Sequence, residues 1–239
     1  MQKVLLQTWC PLRKEPSSTS EMVSSLLFGE TCTVLEEKGE WLLVSCDWDS
    51  YTGWIPFYYL HESELQFPRV LKAQGASWVC GAQRIHLSAG SGLPEADTLT
   101  LDGKTWQLLV REQIPPVSLW EKALGFLEVP YLWGGRSDCG MDCSGLTQVV
   151  YKMHGVQLPR DAWQQEQVVS PVSFHEISEG DLVFFGKEKT THVGIAGPDM
   201  QIIHAHGKVR MDALKPEGIR NEERQEFSHF LRSAGRVKD

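Results

Sequence analysis

From Val4 to Leu60 the chain alternates short apolar runs with polar positions and turns: "CTVLEE", "WLLVSCDWD", "SYTG", "WIPFYYL". Alternation of period two between turn residues predicts strands, and several such strands in a short stretch predict a small β-barrel. A looser echo follows in "IHLSAGSGLPEADTLTLDGKTWQLLVREQIPP", where a turn at Gly103 and a tryptophan, Trp106, again lead into an apolar run. It predicts a second, related β-unit. Pro115-Pro116 then interrupts any regular element and marks a boundary. The expected organisation is a β-barrel over 1–64, a second over 65–115 and a different domain over 116–239.

Beyond the prolines the period changes. "SLWEKALGFLEV" carries Leu119, Trp120, Ala123, Leu124 and Leu127 at helical spacing, with Ser118 placed to cap. Leu146, Val149, Val150 and Met153 repeat the helical spacing up to Gly155, so a second helix starts close to Cys143. "GDLVFFG", "THVGIAG" and "QIIHAHG" are β-rich runs separated by glycine and predict an antiparallel sheet after the helices, hence an α+β domain. The acidic stretch "PEGIRNEERQEF" predicts a solvated helical face.

Composition narrows the function classes. The 239 residues are 41% hydrophobic and 23% charged, the values of a folded globular chain. The net charge of −8 and the lack of a Lys/Arg block exclude nucleic acid and anionic membranes as expected partners. No stretch approaches the ~20 apolar residues of a membrane span. Val4, Leu5 and Leu6 are too short a run for a signal peptide core, so a cytoplasmic location is expected. In that setting the six cysteines (10, 32, 46, 80, 139, 143) are read as thiols, most of them buried fillers.

Cys143, in "DCGMDCSGL", is the exception. At the first turn of a helix, unpaired N–H groups and the positive dipole end favour a thiolate, and an adjacent imidazolium would depress the thiol pKa further. Ser144 and Gly145 leave an approach open, and Asp142 can cap the helix or hold a cation. His192 alternates with Val193 and Ile195 in "THVGIA", so it points away from the apolar face, with Gly194 leaving room on its side for a ligand. His204 and His206 share a face, and either could orient the first imidazole.

"PYLWGGRSDCGMDCSGL", "LPRDAWQQ", "GDLVFF", "HVGIA" and "IIHAHG" together resemble, in order and spacing, the NlpC family of papain-like cysteine peptidases that cut bacterial cell-wall peptides. The resemblance spans residues 117 to about 210. It implies Cys143 as nucleophile, His192 as base, His204 as its orienter, Tyr131 beside the nucleophile, and Asp142 and Ser144 against the substrate near the scissile bond. The Cys143 backbone N–H would then donate to the oxyanion. The first half resembles bacterial SH3-like domains. "SEMVSSLLFGE" and "DSYTGWIPFYYL" look like the form in intracellular recycling relatives, where the barrel narrows the cleft and selects a free L-alanine amine; that job needs an acidic group, for which Glu21, Asp49 and Tyr51 are the candidates. Two departures stand out. Cys139 occupies a usually non-cysteine position and raises a redox brake on Cys143, and Ala162 replaces a residue that is often serine.

The expectation is therefore a monomeric cysteine endopeptidase that hydrolyses the γ-D-glutamyl–diamino acid bond of murein peptides without metal or organic cofactor. A zinc site of Cys139, Cys143, His192 and His204 is disfavoured because the histidines are too far apart in sequence for a knuckle. The nine tryptophans are read as packing rather than carbohydrate binding. The alternative function is a catalytically silent wall-peptide receptor, which a hyper-reactive cysteine near neutral pH would exclude.

Overall fold

The computed structural model describes residues 2–62, 64–110, 117–221 and 224–238. The boundary expected at Pro115-Pro116 lies outside the described residues. The chain divides into two compact units: residues up to 110 together with Trp133–Cys139, and residues 117–132 together with 140–238.

In the first unit a seven-stranded antiparallel sheet runs in the order Met22–Leu27, Trp9–Arg13, Thr52–Pro56, Trp41–Cys46, Thr31–Lys38, Gln2–Leu5, Leu60–His61. Its hairpins follow from turn chemistry. Lys38 faces Trp41 across a two-residue loop whose first residue, Gly39, has φ +60°, which glycine adopts without strain. The strand Trp41–Cys46 buries Leu42, Val44 and Cys46 and turns Trp41, Leu43 and Ser45 outward. Cys10, Cys32 and Cys46 lie in this core beside Leu5, Leu12, Leu26 and Ile55. Burial pushes the thiols of Cys10 and Cys32 up to about 12, so they act as inert filler.

A four-stranded sheet follows, ordered Gln83–Leu87, Ala76–Cys80, Lys104–Val110, Thr98–Leu101. Asp102 (φ +50°) and Gly103 (φ +71°) join its last hairpin, the Asp-Gly pair a type I′ turn requires. Trp78 and Trp106 form a second apolar cluster with Leu87, Leu99 and Phe28.

Residues 133–139 pack with this unit rather than with their sequence neighbours because Arg136 is pinned there. Its guanidinium is buried and reaches both oxygens of buried Glu30 (3.1 and 3.0 Å) and the Ser25 carbonyl (2.7 Å), while Glu30 also accepts the Leu27 N–H (2.8 Å). Gly134 has φ +77°, and a Cβ there would stand 2.7 Å from the Met22 carbonyl oxygen, so this approach needs glycine.

Among the described residues the second unit carries three α-helices, α1 (Leu119–Leu124), α2 (Cys143–Met153) and α3 (Ala162–Val168). Ser118 caps α1 in a reciprocal box with Glu121, and Leu146, Val149, Val150 and Met153 of α2 are buried. Six of the seven described strands of its sheet run Leu182–Phe185, His192–Ala196, Gln201–His206, Lys208–Lys215, Gly218–Asn221 and Glu226–Arg236, each antiparallel to the next; the last also pairs with the first and so closes the sheet, and the seventh, Ser170–Val172, pairs with the last. The helical face expected over "PEGIRNEERQEF" is therefore corrected to two strands of this closed sheet: pairing Ile219 with His229 and Arg220 with Phe227 outweighs a charge pattern that suits an exposed helix. Gly194 is also corrected. A Cβ there would meet Ile202 at 2.8 Å, so the glycine serves strand contact rather than ligand space.

Replacing Arg136 by Met leaves the Glu30 carboxylate buried without its cation and should cost about 3–5 kcal/mol in denaturant unfolding. Arg136→Met with Glu30→Leu should cost less, about 1–3 kcal/mol for the stranded Leu27 N–H. Equal losses in the two variants would show that the ion pair is not what holds the segment.

Candidate active site

Cys143 is the first residue of α2 and 8% exposed, and the backbone N–H groups of Val193 and Ser144 favour negative charge on its sulfur. Two elements set this position. Asp142 ends an extended segment and caps the helix, its Oδ1 accepting the Gly145 N–H at 2.7 Å. Arg160, fully buried, holds Asp142 in a two-point pair (2.6 and 3.0 Å) and donates to Ser144 Oγ at 2.9 Å. The side chains of Asp142 and Ser144 are thus engaged with each other, with Arg160 and with the helix start. Arg160 was present in "LPRDAWQQ", but nothing in the sequence marked it as the partner of Asp142.

The strand His192–Ala196 and its neighbour Gln201–His206, which carry His192 and His204, both pack against α2, the helix that Cys143 opens. His192 Nε2 and His204 Nδ1 are 2.8 Å apart, and His204 Nε2 is 3.1 Å from Asp212 Oδ2. The proton order follows from chemistry. A carboxylate only accepts, so His204 donates from Nε2, its Nδ1 holds a lone pair, and His192 must donate to it from Nε2. The Nδ1 of His192 is then the basic nitrogen. Arg210 fixes Asp212 in turn with two bonds (2.7 and 3.0 Å). Burial would raise the Asp212 carboxyl, but the hydrogen bonds from His204 and Arg210 outweigh it and hold the group below its usual range. Sequence reasoning missed Asp212, since its place beside His204 comes only from strand pairing.

The electrostatics correct one expectation. Burial, then the Asp142 carboxylate, push the Cys143 thiol up to about 12, against the opposing N–H groups of Val193 and Ser144 and the charge of Arg160. Burial, then the neighbouring imidazoles of His204, His229 and His206, lower His192 well below 6.5. Burial first, and the Asp142 carboxylate at the helix terminus second, favour a neutral thiol over the expected thiolate, and burial likewise favours a neutral imidazole at His192. Tyr131 lies close by: burial, followed by the proximity of Cys143 and of the Asp142 carboxylate, raises its phenol to about 12.

The remaining sequence candidates fall in the first unit. Glu21 accepts the indole N–H of Trp133 at 3.0 Å and keeps an exposed carboxylate. Asp49 Oδ1 accepts the Tyr51 N–H at 3.0 Å across a turn. Of the two departures, Cys139 is an exposed free thiol, and Ala162 opens α3 of the second unit behind its cap Asp161.

The NlpC/P60 family pattern matches residues 128–226, which hold the cysteine, both histidines and the carboxylate, and the bacterial dipeptidyl-peptidase SH3 domain matches residues 12–57. The gamma-D-glutamyl-L-lysine dipeptidyl-peptidase of Bacillus subtilis is 30% identical over 211 residues, 76% of this chain and 71% of that protein. The chain belongs to the NlpC/P60 family. The Bacillus cereus protein of the same name is 27% identical over 228 residues, 79% of this chain and 68% of its own. The crystal structure of an NlpC/P60 family protein from Bacillus cereus shares the fold, with a TM-score of 0.82 at 21% identity and 99% of both chains covered. The fold is thus α+β, a papain-like peptidase domain behind a bacterial SH3-like β-rich region, and the chain is a cysteine peptidase.

With burial pushing the thiol up to about 12, the hyper-reactive cysteine expected to separate a peptidase from a silent receptor gives way to peptide cleavage as the discriminator. Alkylation of Cys143 by iodoacetamide, followed by mass spectrometry of its peptide, should rise about tenfold per pH unit from 7 to 9. A rate that has already levelled off below pH 7 would show a resting ion pair instead.

Proposed function

We propose that this NlpC/P60 peptidase is an endopeptidase that hydrolyses the γ-D-glutamyl–diamino acid bond of peptidoglycan peptides, with meso-diaminopimelate or L-lysine as the diamino acid. The observation that carries this is the hydrogen-bonded line His192–His204–Asp212, whose histidines lie on the strands of the sheet that pack against α2, the helix that begins at Cys143. The names of the two Bacillus relatives support the bond chosen.

In the proposed reaction the Cys143 sulfur attacks the γ-glutamyl carbonyl while His192 Nδ1 takes the thiol proton, so the thiolate forms only as the bond forms. The oxyanion receives the Cys143 backbone N–H at the start of α2. His192, now a cation stabilised through His204 by Asp212, returns the proton to the leaving amine, and the diamino acid departs from a thioester. Water then attacks the thioester with His192 again as base and frees Cys143. Tyr131 borders the sulfur, and Asp142 and Ser144 hold the helix start that presents it. Because His192 needs its Nδ1 lone pair, the proton order set by Asp212 is part of the chemistry.

The finer reading is a cytoplasmic recycling role on peptides with a free N-terminal L-alanine. An ammonium group calls for an acidic reader, and Glu21, with its exposed carboxylate, leads Asp49 and Tyr51 as the candidate for it.

The decisive assay follows release of the diamino acid from L-Ala-γ-D-Glu-meso-diaminopimelate and its L-lysine counterpart. Wild type should cleave and Cys143→Ala should not; equal rates would sink the mechanism. An N-acetylated peptide should be cleaved far more slowly, and an unchanged kcat/KM would remove the amine-reading role. Asp212→Asn places an amide that can donate to His204, which reverses the proton order and puts a hydrogen on His192 Nδ1. It should lower kcat by about 10²–10⁴-fold with KM little changed and the circular dichroism spectrum retained. A KM rise with kcat intact would instead place Asp212 in substrate binding.

A further inference from the structure

Three imidazoles converge at the relay, although the proposed chemistry uses two. His229, on the strand Glu226–Arg236, stacks on His192 with ring centroids 3.9 Å apart and planes 17° from parallel. Its Nδ1 is 2.9 Å from Ser228 Oγ, which leaves Nε2 for another partner. One ring nitrogen from each of His192, His204 and His229 lies within 4.8 Å of the others. Zn–N bonds of about 2.0–2.1 Å put the nitrogens of a tetrahedral site roughly 3.4 Å apart. The 2.8 Å His192–His204 separation and the 4.8 Å limit bracket that spacing, so small side-chain rotations suffice. Asp212 already accepts from the outer nitrogen of His204, the carboxylate–histidine arrangement that orients a metal-ligating imidazole. His206, exposed and with its ring 4.9 Å from that of His229, adds a further donor of the same type.

The geometry points to an inhibitory zinc site in which His192, His204 and His229 take Zn²⁺ in place of the His192–His204 hydrogen bond and switch the peptidase off. An all-imidazole set suits zinc and similar transition cations over Mg²⁺ or Ca²⁺, which prefer oxygen. The inhibition follows from proton bookkeeping. To ligate, His192 Nε2 must give its proton to solvent, and a neutral imidazole then carries a proton from solvent on Nδ1. No net proton is exchanged, but the nitrogen that has to accept the Cys143 proton has become a donor. His204 keeps its proton on Nε2 for Asp212 throughout. Only the inhibitory consequence rests on the proposed function; binding does not.

Isothermal titration of the metal-free full chain with ZnCl₂ tests it, with MgCl₂ present in excess. Wild type should bind one Zn²⁺ per chain. Cys143→Ala should bind it as well, since the thiol is not a ligand. His229→Phe and His229→Gln should lose saturable binding with their circular dichroism unchanged, and Asp212→Asn should weaken it about 10–100-fold. Absence of saturable binding in wild type, full binding in both His229 variants, or its loss in Cys143→Ala would each overturn the site. Zinc should also stop wild-type peptide cleavage and a chelator restore it; binding without inhibition would overturn the switch. Binding is measured as heat and not as turnover, so the site stands or falls independently of the peptidase assay.

Discussion

A carboxylate can accept hydrogen bonds but not donate them, and the buried Asp212 imposes that asymmetry on the second unit. Hydrogen bonds from His204 and Arg210 together hold it ionised against burial, so the His204 proton lies toward it and His192 must in turn donate to His204. Two otherwise ambiguous imidazoles thereby acquire one proton order, and the single basic nitrogen of the line is directed to Nδ1 of His192. Removing the carboxylate's charge would leave the distances nearly intact while reversing the order. Geometry alone does not make this set of groups competent; its polarity does.

Burial gives that polarity its weight and also sets its cost. His192, His204 and Cys143 are all removed from water, and a charged imidazolium or thiolate is costly there. The resting pair is neutral, and the pairing of charge is deferred to the moment of attack. The start of α2 has two opposed effects. Its N–H groups favour negative charge on sulfur, while Asp142, required to cap the helix and satisfied by Arg160, disfavours it. The same crowding brings His229 against His192. That cluster is well arranged to stabilise imidazoles and equally well arranged to attract a cation that imidazoles ligate.

The first unit is organised by a different buried charge pair. Glu30 and Arg136 satisfy each other and two backbone groups, and the short run from Trp133 to Cys139 is held in that unit by this contact together with the glycine fit at Gly134. Asp138 adds bonds from Ser88 (2.7 Å) and His86 (2.8 Å). A run that reads, in sequence, as part of the segment leading to the nucleophile is in fact built into the barrel unit. No periodicity in so short a stretch can reveal such a choice, because Glu30 lies far from Arg136 along the chain.

What the sequence determined by itself was local. Offsets of three and four residues placed α1 and α2, Ser118 and Asp142 fit their caps, and Asp102-Gly103 fit its hairpin, because each depends on neighbours a few bonds away. The ordered motifs singled out Cys143, His192 and His204 as a set. Tertiary structure decided the rest. It made strands of the acidic C-terminal run, found Asp212 and Arg160 as partners, turned Gly194 from ligand space into a strand contact, and added His229 to the cluster. It also reversed the expected thiol pKa. Desolvation and the direction of a hydrogen bond depend on everything packed around a group, and that is settled only when strands distant in sequence come to lie side by side.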